Sequence, residues 1–386
     1  MMFKGRIPQI EFGAGSISRI GEIAKGFGKK VLLAIDPFLD SSGYSTRIIE
    51  LLKKEKMKVV KCTDIEPNPS CFAVDKAGEL AKSNKIDMII AVGGGSTLDF
   101  GKAVAVIARN DGSSWDYTER ADHAIKRPQK VLPMVAVPTT AGTGSETTPF
   151  AVLNNPKIKE KSTIVSDYVF VDKVLIDPEM MYSMPRRLTA STGFDAFAHC
   201  LESYISLAAT PFSRMTAMEG MRIIAENLPL AVANGENRDA RAQMAWASAL
   251  GGSAISSIGV TLPHSLGQPV GGFCGAPHGE SVAACMVEVL KLSYSSSPQV
   301  FADVTDILDP SYAGKPIKMR ASACPELVQA FLDEIGLRIR FRDFGLKKSD
   351  IAKVTSIALT GYYFDIKCHP RAVDEADIKA LYSVCI

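Results

Sequence analysis

Hydrophobic and polar positions follow two different rhythms along this chain, one before about residue 178 and another after it. A short apolar run at Lys30–Ile35 is followed by an amphipathic stretch over 46–56 and a second short apolar run at Lys58–Cys62. Five or six apolar residues between longer stretches of helical periodicity predict strands alternating with helices, and that alternation predicts a parallel sheet with helices on both faces. The pattern continues with a turn-rich loop at 65–70 (IEPNPS), a helix over 73–83, a buried strand over 87–92 (DMIIAV) and a helix from about Thr97. A further strand is predicted over 131–137 (VLPMVAV).

From Pro178 onward the short apolar runs give way to long segments rich in Ala, Leu, Met and Glu, such as 211–227, 240–258 and 324–335. These predict helices. The change of rhythm places a domain boundary near Met184 and Pro185, giving an α/β domain over 1–184 and an all-helical domain over 185–386. A length of 386 residues agrees with two domains of ordinary size. No linker is long enough to separate them, so the two halves are expected to pack as one unit.

Charge narrows the partners. With 44 basic and 42 acidic residues spread along the chain, the net charge is only +2, which argues against a nucleic-acid groove or a membrane-binding face. Small neutral or weakly charged substrates fit better. Eight cysteines occur, with no CxxC pair, in a chain too long to need a disulfide scaffold, so a reducing cytoplasm is expected. The opening MMFKGRIPQIEFGAGS lacks the apolar core of an export signal. The uncharged stretch 242–265 is rich in Ser and Gly and contains His264, and reads as closely packed buried helix rather than a membrane span.

Candidate chemistry gathers in three places. In STGFDAFAHCLESY, Asp195 and His199 are four apart while Phe194, Ala198 and Leu201 recur at helical intervals, so both polar side chains leave one helix face. His264 (VTLPHSLG) and His278 (GAPHGE) each lie beside Pro and Gly, near helix ends or tight turns. Each residue alone also reads as a cap or a satisfied polar group. Together, in apolar surroundings such as AFAHC and GGFCGAPH, one oxygen and three nitrogens are costly to bury unless a metal ion pairs with them. Cys200 and Cys274 adjoin this set in sequence; a residue next to His199 points away from the ligand face, and both read as core thiols.

The second place is GGGSTLDFGKA, where a strand runs into Gly93, Gly94, Gly95 and Ser96 and then a helix, a helix start that an anion can approach. It is neither GxGxxG nor a P-loop, and a plain tight turn is the competing reading. The third is PTTAGTGSETTPFAV, at a strand's carboxyl end. There Thr139, Thr140, Ser145 and Thr148 can donate to a phosphate or a nicotinamide amide, or else cap turns. Asp36, just after the strand at Lys30–Ile35, is placed to accept ribose hydroxyls and repel a 2′-phosphate, or to cap a helix.

Read as a set, GGGSTLDFGKA, PTTAGTGSETTPFAV, DPEMMYSMPRRLTASTGFDAFAHCLESY and HSLGQPVGGFCGAPHG resemble the iron-containing alcohol dehydrogenase family, in order and over essentially the whole chain. The resemblance implies a Rossmann-like dinucleotide-binding domain, an all-helical domain of the dehydroquinate synthase-like superfamily, and a metal and nicotinamide site in a cleft between them. It implies Asp195, His199, His264 and His278 as metal ligands. It also implies Gly94, Gly95, Ser96, Thr139, Thr140 and Lys161 as cofactor positions, Asp99 nearby, and Asp36 as the acid favouring NAD over NADP. Gln268 stands where many relatives carry a second histidine in an HxxxH pattern, and glutamine cannot titrate. His369 replaces a common asparagine, which is expected to reshape the pocket edge.

The activity so implied is hydride transfer between NAD(H) and a small aldehyde or primary alcohol, with Fe2+, or alternatively Zn2+, polarising the substrate oxygen, in a cytoplasmic homodimer. Propanediol, lactaldehyde, short alcohols and acidic aldehydes all stay open. Arg186, Arg187 and Arg371 read as ion-pair formers rather than acid binders. A lyase of the dehydroquinate synthase type, a redox sensor and a metal-independent reductase of the maleylacetate type are the rival readings.

Overall fold

The computed structural model describes residues 6–120 and 124–386. The described chain divides into two compact units, one formed by Arg6–Thr140 and Gly144–Tyr182 and the other by Ala141–Thr143 and Ser183–Ile386.

The first unit carries all the strands. In chain order they are β1 (Gln9–Phe12), β2 (Lys30–Ile35), β3 (Lys58–Cys62), β4 (Met88–Gly93), β5 (Met134–Pro138), β6 (Phe150–Asn155), β7 (Glu160–Val165) and β8 (Lys173–Ile176). Between them lie helices α1 (Ile20–Ala24), α2 (Pro37–Ser41), α3 (Tyr44–Lys54), α4 (Cys71–Ser83) and α5 (Gly95–Ile107). Six strands form one sheet in the order β1-β8-β5-β4-β2-β3, every pair of neighbours parallel. β2, β4 and β5 are central, and their runs VLLAI, MIIAV and MVAV are buried throughout, as a sheet covered on both faces requires. The apolar runs read from sequence are therefore these strands, displaced by a few residues at most.

The sheet order reverses between β2 and β4, since the chain goes from β2 outward to β3 and then returns to β2's other side. The carboxyl ends of strands at such a reversal border a crevice. Asp36 follows β2 and Gly94 follows β4, and the Asp36 amide donates to the Val92 carbonyl at 3.0 Å. Asp36 and the GGGS helix start thus meet at the switch point. The antiparallel hairpin β6–β7 was not foreseen; its strands carry Asn, Lys, Ser and Thr among the apolar residues, which obscures their alternation.

The second unit is all-helical: α6 (Arg186–Ile205), α7 (Pro211–Ala233), α8 (Arg238–Ile255), α9 (Leu262–Cys274), α10 (His278–Ser293), α11 (Pro298–Leu308), α12 (Ile317–Glu334), α13 (Ile351–Gly361), α14 (Tyr363–Cys368) and α15 (Glu375–Cys385). Helix α6 is its axis, buried from Gly193 to Ile205 without a break and packed by α7, α8 and α10. Close approach to α6 depends on glycine. A Cβ at Gly279 would collide with the Ser191 carbonyl oxygen, so only glycine lets the first turn of α10 lie against α6. The uncharged run 242–265 becomes the second half of α8 and the start of α9, and no helix among the described residues is long and apolar enough to cross a membrane.

Candidate metal centre and nucleotide loops

Helical spacing on α6 puts Asp195 and His199 on one stripe, and the starts of two further helices bring up the remaining imidazoles. His264 is the third residue of α9 and His278 the first of α10. One donor atom from each of the four residues lies within 4.8 Å of every other. Asp195 Oδ1 is 3.9 Å from His199 Nε2, 3.5 Å from His264 Nε2 and 3.5 Å from His278 Nε2. The His199 and His264 rings stack with centroids 4.8 Å apart.

These separations decide what the cluster is built for. At 3.5 to 3.9 Å the nitrogens are too far from Oδ1 for good hydrogen bonds. Four donors at the usual ~2.1 Å from one ion stand about 3.4 Å apart on a tetrahedral edge, which is close to what is seen. Asp195 Oδ1, His199 Nδ1 and His264 Nε2 are buried and make no hydrogen bond. Buried polar atoms without partners are costly and rare. The donor set therefore fits a divalent cation.

Burial alone would push the Asp195 carboxyl up, but the imidazoles of His278, His199 and His264 outweigh it and hold the group well below the carboxylate range. Burial lowers His199. Burial also pulls His264 down, yet Glu202 and Asp195 together hold its imidazolium up at about 10. Asp195, His199 and His264 are buried, whereas the His278 side chain is 32% exposed, so the cluster opens on the His278 side.

Glu202, which the sequence reading passed over, closes the other side. Its Oε1 lies 2.5 Å from His264 Nδ1, and its Oε2 accepts from the Thr261 amide at 2.7 Å and the Thr261 hydroxyl at 3.1 Å. The signal was present, since positions 195, 199 and 202 mark a single helical stripe. Gln268, one turn beyond His264 on α9, is buried with Oε1 making no hydrogen bond. Cys200 is fully buried, with burial raising its thiol, and Cys274 is partly buried against the α9 core; neither joins the donor set.

His369 is buried in the helical unit. Its Nε2 pairs with Ser293 Oγ at 2.7 Å, at the C-terminal end of α10, and its ring lies within electrostatic reach of Glu202. Arg187 pairs bidentately with Glu280 at 2.7 and 2.8 Å, the ion pair expected of it, whereas Arg371 donates to the Leu292 backbone carbonyl at 2.8 Å.

In the α/β unit the predicted nucleotide residues sort into two groups. Gly94 is the N-cap of α5 and Gly95 its first residue, so the helix start read from GGGS is real. A Cβ at Gly94 would press on the Thr140 side chain at 3.1 Å. The hydroxyls of Thr139 and Thr140 make no hydrogen bond among the described residues. Asp36 caps α2 through Oδ1, which accepts from the Phe38 amide at 2.9 Å, and Oδ2 is not used. Ser96 Oγ accepts from the Asn68 amide at 3.0 Å, and Lys161 Nζ donates to Asn68 Oδ1 at 2.7 Å. Burial brings that lysine down to about 8.

Ser145, Thr148 and Asp99 form the other group, around the fully buried Lys102. Its ammonium donates to Ser145 O at 2.5 Å, Ser145 Oγ at 2.9 Å, Thr148 O at 3.0 Å, Thr148 Oγ1 at 3.2 Å and Phe150 O at 2.8 Å. The Ser145 hydroxyl donates to Asp99 Oδ1 at 2.6 Å, and Asp99 Oδ2 accepts from the Val152 amide at 3.0 Å. The Thr148 hydroxyl donates to the Ser145 carbonyl at 3.3 Å. Both hydroxyl protons are engaged inside the protein, so the expectation that Ser145 and Thr148 donate to a ligand gives way to a role in shaping the loop.

A parallel sheet with a glycine-started helix at its switch point, together with a helical unit that gathers an acid and three imidazoles, defines a class of two-unit metal-using α/β enzymes. The chain belongs to the iron-containing alcohol dehydrogenase family. Residues 8–178 match the family described as "Iron-containing alcohol dehydrogenase", and residues 189–386 match "Fe-containing alcohol dehydrogenase family, C-terminal". The chain is 34% identical over 376 residues to long-chain-alcohol dehydrogenase 1 of Geobacillus thermodenitrificans, covering 97% of this chain and 94% of that protein. It is 32% identical over 375 residues to the NAD-dependent methanol dehydrogenase of Bacillus methanolicus, covering 96% of each. The crystal structure of a 1,3-propanediol oxidoreductase superposes with a TM-score of 0.93 at 32% identity, covering 100% of both chains.

Proposed function

We propose that this chain is an NAD(H)-linked, metal-dependent alcohol dehydrogenase that interconverts a small primary alcohol and its aldehyde. The observation that carries the reading is the donor cluster in the helical unit, with Asp195 Oδ1 and His264 Nε2 buried and unpaired. Asp195, His199, His264 and His278 would hold the ion. Fe2+ is the proposed ion and Zn2+ the alternative, since N/O donor sets bind both and supply decides. When bound, the ion supplies electrophilic polarisation of a carbonyl or hydroxyl oxygen, and a nicotinamide supplies or accepts the hydride.

The residues of the chain do the rest. The buried donors Asp195, His199 and His264 keep water away from one side of the centre, while the exposed His278 edge admits the substrate. Gln268 can position a polar group by hydrogen bonding but cannot take up a proton, so the alcohol proton leaves by water or another group. For the dinucleotide, the α5 start at Gly94, Gly95 and Ser96 suits a pyrophosphate, and Thr139 and Thr140 offer unused hydroxyls. Oδ2 of Asp36 is available to a ribose hydroxyl and repels a 2′-phosphate, which favours NAD over NADP. Support for NAD also comes from the methanol dehydrogenase relative, whose name specifies that cofactor. The assembly we propose is a homodimer.

The test is NADH oxidation by anaerobically purified, Fe2+-loaded protein with a panel of aldehydes and ketones, alongside chelator-treated protein. Metal-dependent NADH consumption with a small aldehyde is expected. No consumption with any substrate, while NAD and metal remain bound, would shift the function to a lyase that uses NAD only within one turnover, or to a sensor.

A further inference from the structure

The helical unit contains a buried carboxylate that the donor set does not include. Glu202 is fully buried, and all its hydrogen bonds run to His264 and Thr261. Among the described residues neither Glu202 nor Asp195 pairs with a lysine or arginine; their ion pairs go only to histidines. Two buried carboxylates without a basic partner are expensive unless another positive charge offsets them.

We propose that Glu202 is a positioning residue for the metal centre, which fixes His264 with Nε2 turned toward Asp195. The inference rests on the metal reading above. The geometry carries it. A carboxylate can only accept, so a 2.5 Å contact to Nδ1 places a proton on Nδ1 and makes Nε2 the nitrogen that would face a bound ion. Nε2 is the buried atom without a hydrogen bond, 3.5 Å from Asp195 Oδ1. Glu202 is in turn held by the Thr261 amide and hydroxyl. Thr261 is the N-cap of α9, so the same carboxylate fixes the helix that carries His264. A rotation of that ring would break the 2.5 Å contact and turn Nε2 away from the cluster.

A carboxylate behind a metal-bound imidazole also raises the basicity of the ligand nitrogen, and loss of such a partner usually costs 10- to 100-fold in metal affinity.

The test uses Co2+, whose visible absorption bands report its coordination, titrated into the metal-free full-length protein in competition with a chelator. Glu202→Gln, nearly the same size and neutral, is expected to bind Co2+ 10- to 100-fold more weakly than the natural protein, with shifted bands. In a His264→Ala background the same change is expected to have no further effect, because Glu202 acts through that ring. Equal affinity and identical bands in Glu202→Gln would overturn the proposal while leaving the metal site intact. Absence of Co2+ binding by the natural protein would overturn the metal reading and this inference with it. If Glu202→Gln does not fold, Glu202→Asp serves: it keeps the charge but draws the carboxylate away from Nδ1. Weakened Co2+ binding there supports the proposal, and unchanged binding overturns it.

Discussion

Each unit of this protein buries a polar cluster, and the two differ in whether the protein satisfies them. Around Lys102 every donor meets an acceptor, with five oxygens at 2.5 to 3.2 Å. Around Asp195 the imidazole nitrogens stand 3.5 to 3.9 Å from its Oδ1, and of these atoms Asp195 Oδ1 and His264 Nε2 are left without a hydrogen bond. Burial is equally deep in both, so depth does not explain the contrast. A cluster that closes on itself is scaffold; a cluster that converges without closing is arranged for something the chain does not supply.

That contrast predicts opposite responses to substitution. Asp195→Asn keeps the shape and removes the charge that the donor set needs. It should cut NADH-linked turnover by roughly 10³-fold or more, as expected when several kcal/mol of polarisation is lost. The metal-free protein should lose far less stability than in the next variant, because no hydrogen bond is broken; steady-state rates and a thermal melt measure the two effects. Lys102→Met should do the reverse. It strands the buried carbonyls of Ser145, Thr148 and Phe150 and removes Asp99's buried cation, so a denaturant melt should show a loss of about 3–5 kcal/mol. If Lys102→Met proves neutral, the cluster is not the scaffold described here.

A smaller effect should appear as a pH dependence. Glu146 is buried beside Lys102 with Oε1 unpaired, and burial pushes its carboxyl up to about 7 from an ordinary 4.5. A raised folded-state value means that the folded chain holds a proton the unfolded chain has released. The stability associated with that proton is fully present below pH 4.5 and lost as the pH rises through 7. Glu146→Gln should therefore gain up to about 3 kcal/mol relative to the natural protein between pH 4.5 and pH 8. Thermal melts across that range would show it, and a difference independent of pH would contradict it. The smallest change is Ser145→Ala, which removes one hydroxyl shared by Lys102 and Asp99 and should cost about 1 kcal/mol in the same melt.

How far the sequence reveals each cluster follows from its spacing. Asp195 and His199 are legible because four residues is a helical interval, and His264 and His278 because histidines beside Pro and Gly stand out at helix starts. The central strands are legible because β2, β4 and β5 are buried on both faces and read as unbroken apolar runs. Lys102 was not singled out, because a lone lysine in an otherwise apolar helix gives no hint that Ser145, Thr148 and Phe150 fold over it from more than forty residues away. Ser145 and Thr148 were taken for ligand donors for the same reason: composition shows a hydroxyl but not where its proton goes.

The central claim is that the unclosed cluster is a metal site. Equilibrium binding of Fe2+ to the metal-free protein with air excluded, compared with Asp195→Asn, tests it most directly. One ion per chain in the natural protein, with binding lost or greatly weakened in the variant, is the result this account predicts. Binding that is absent in the natural protein, or equal in both, would contradict it.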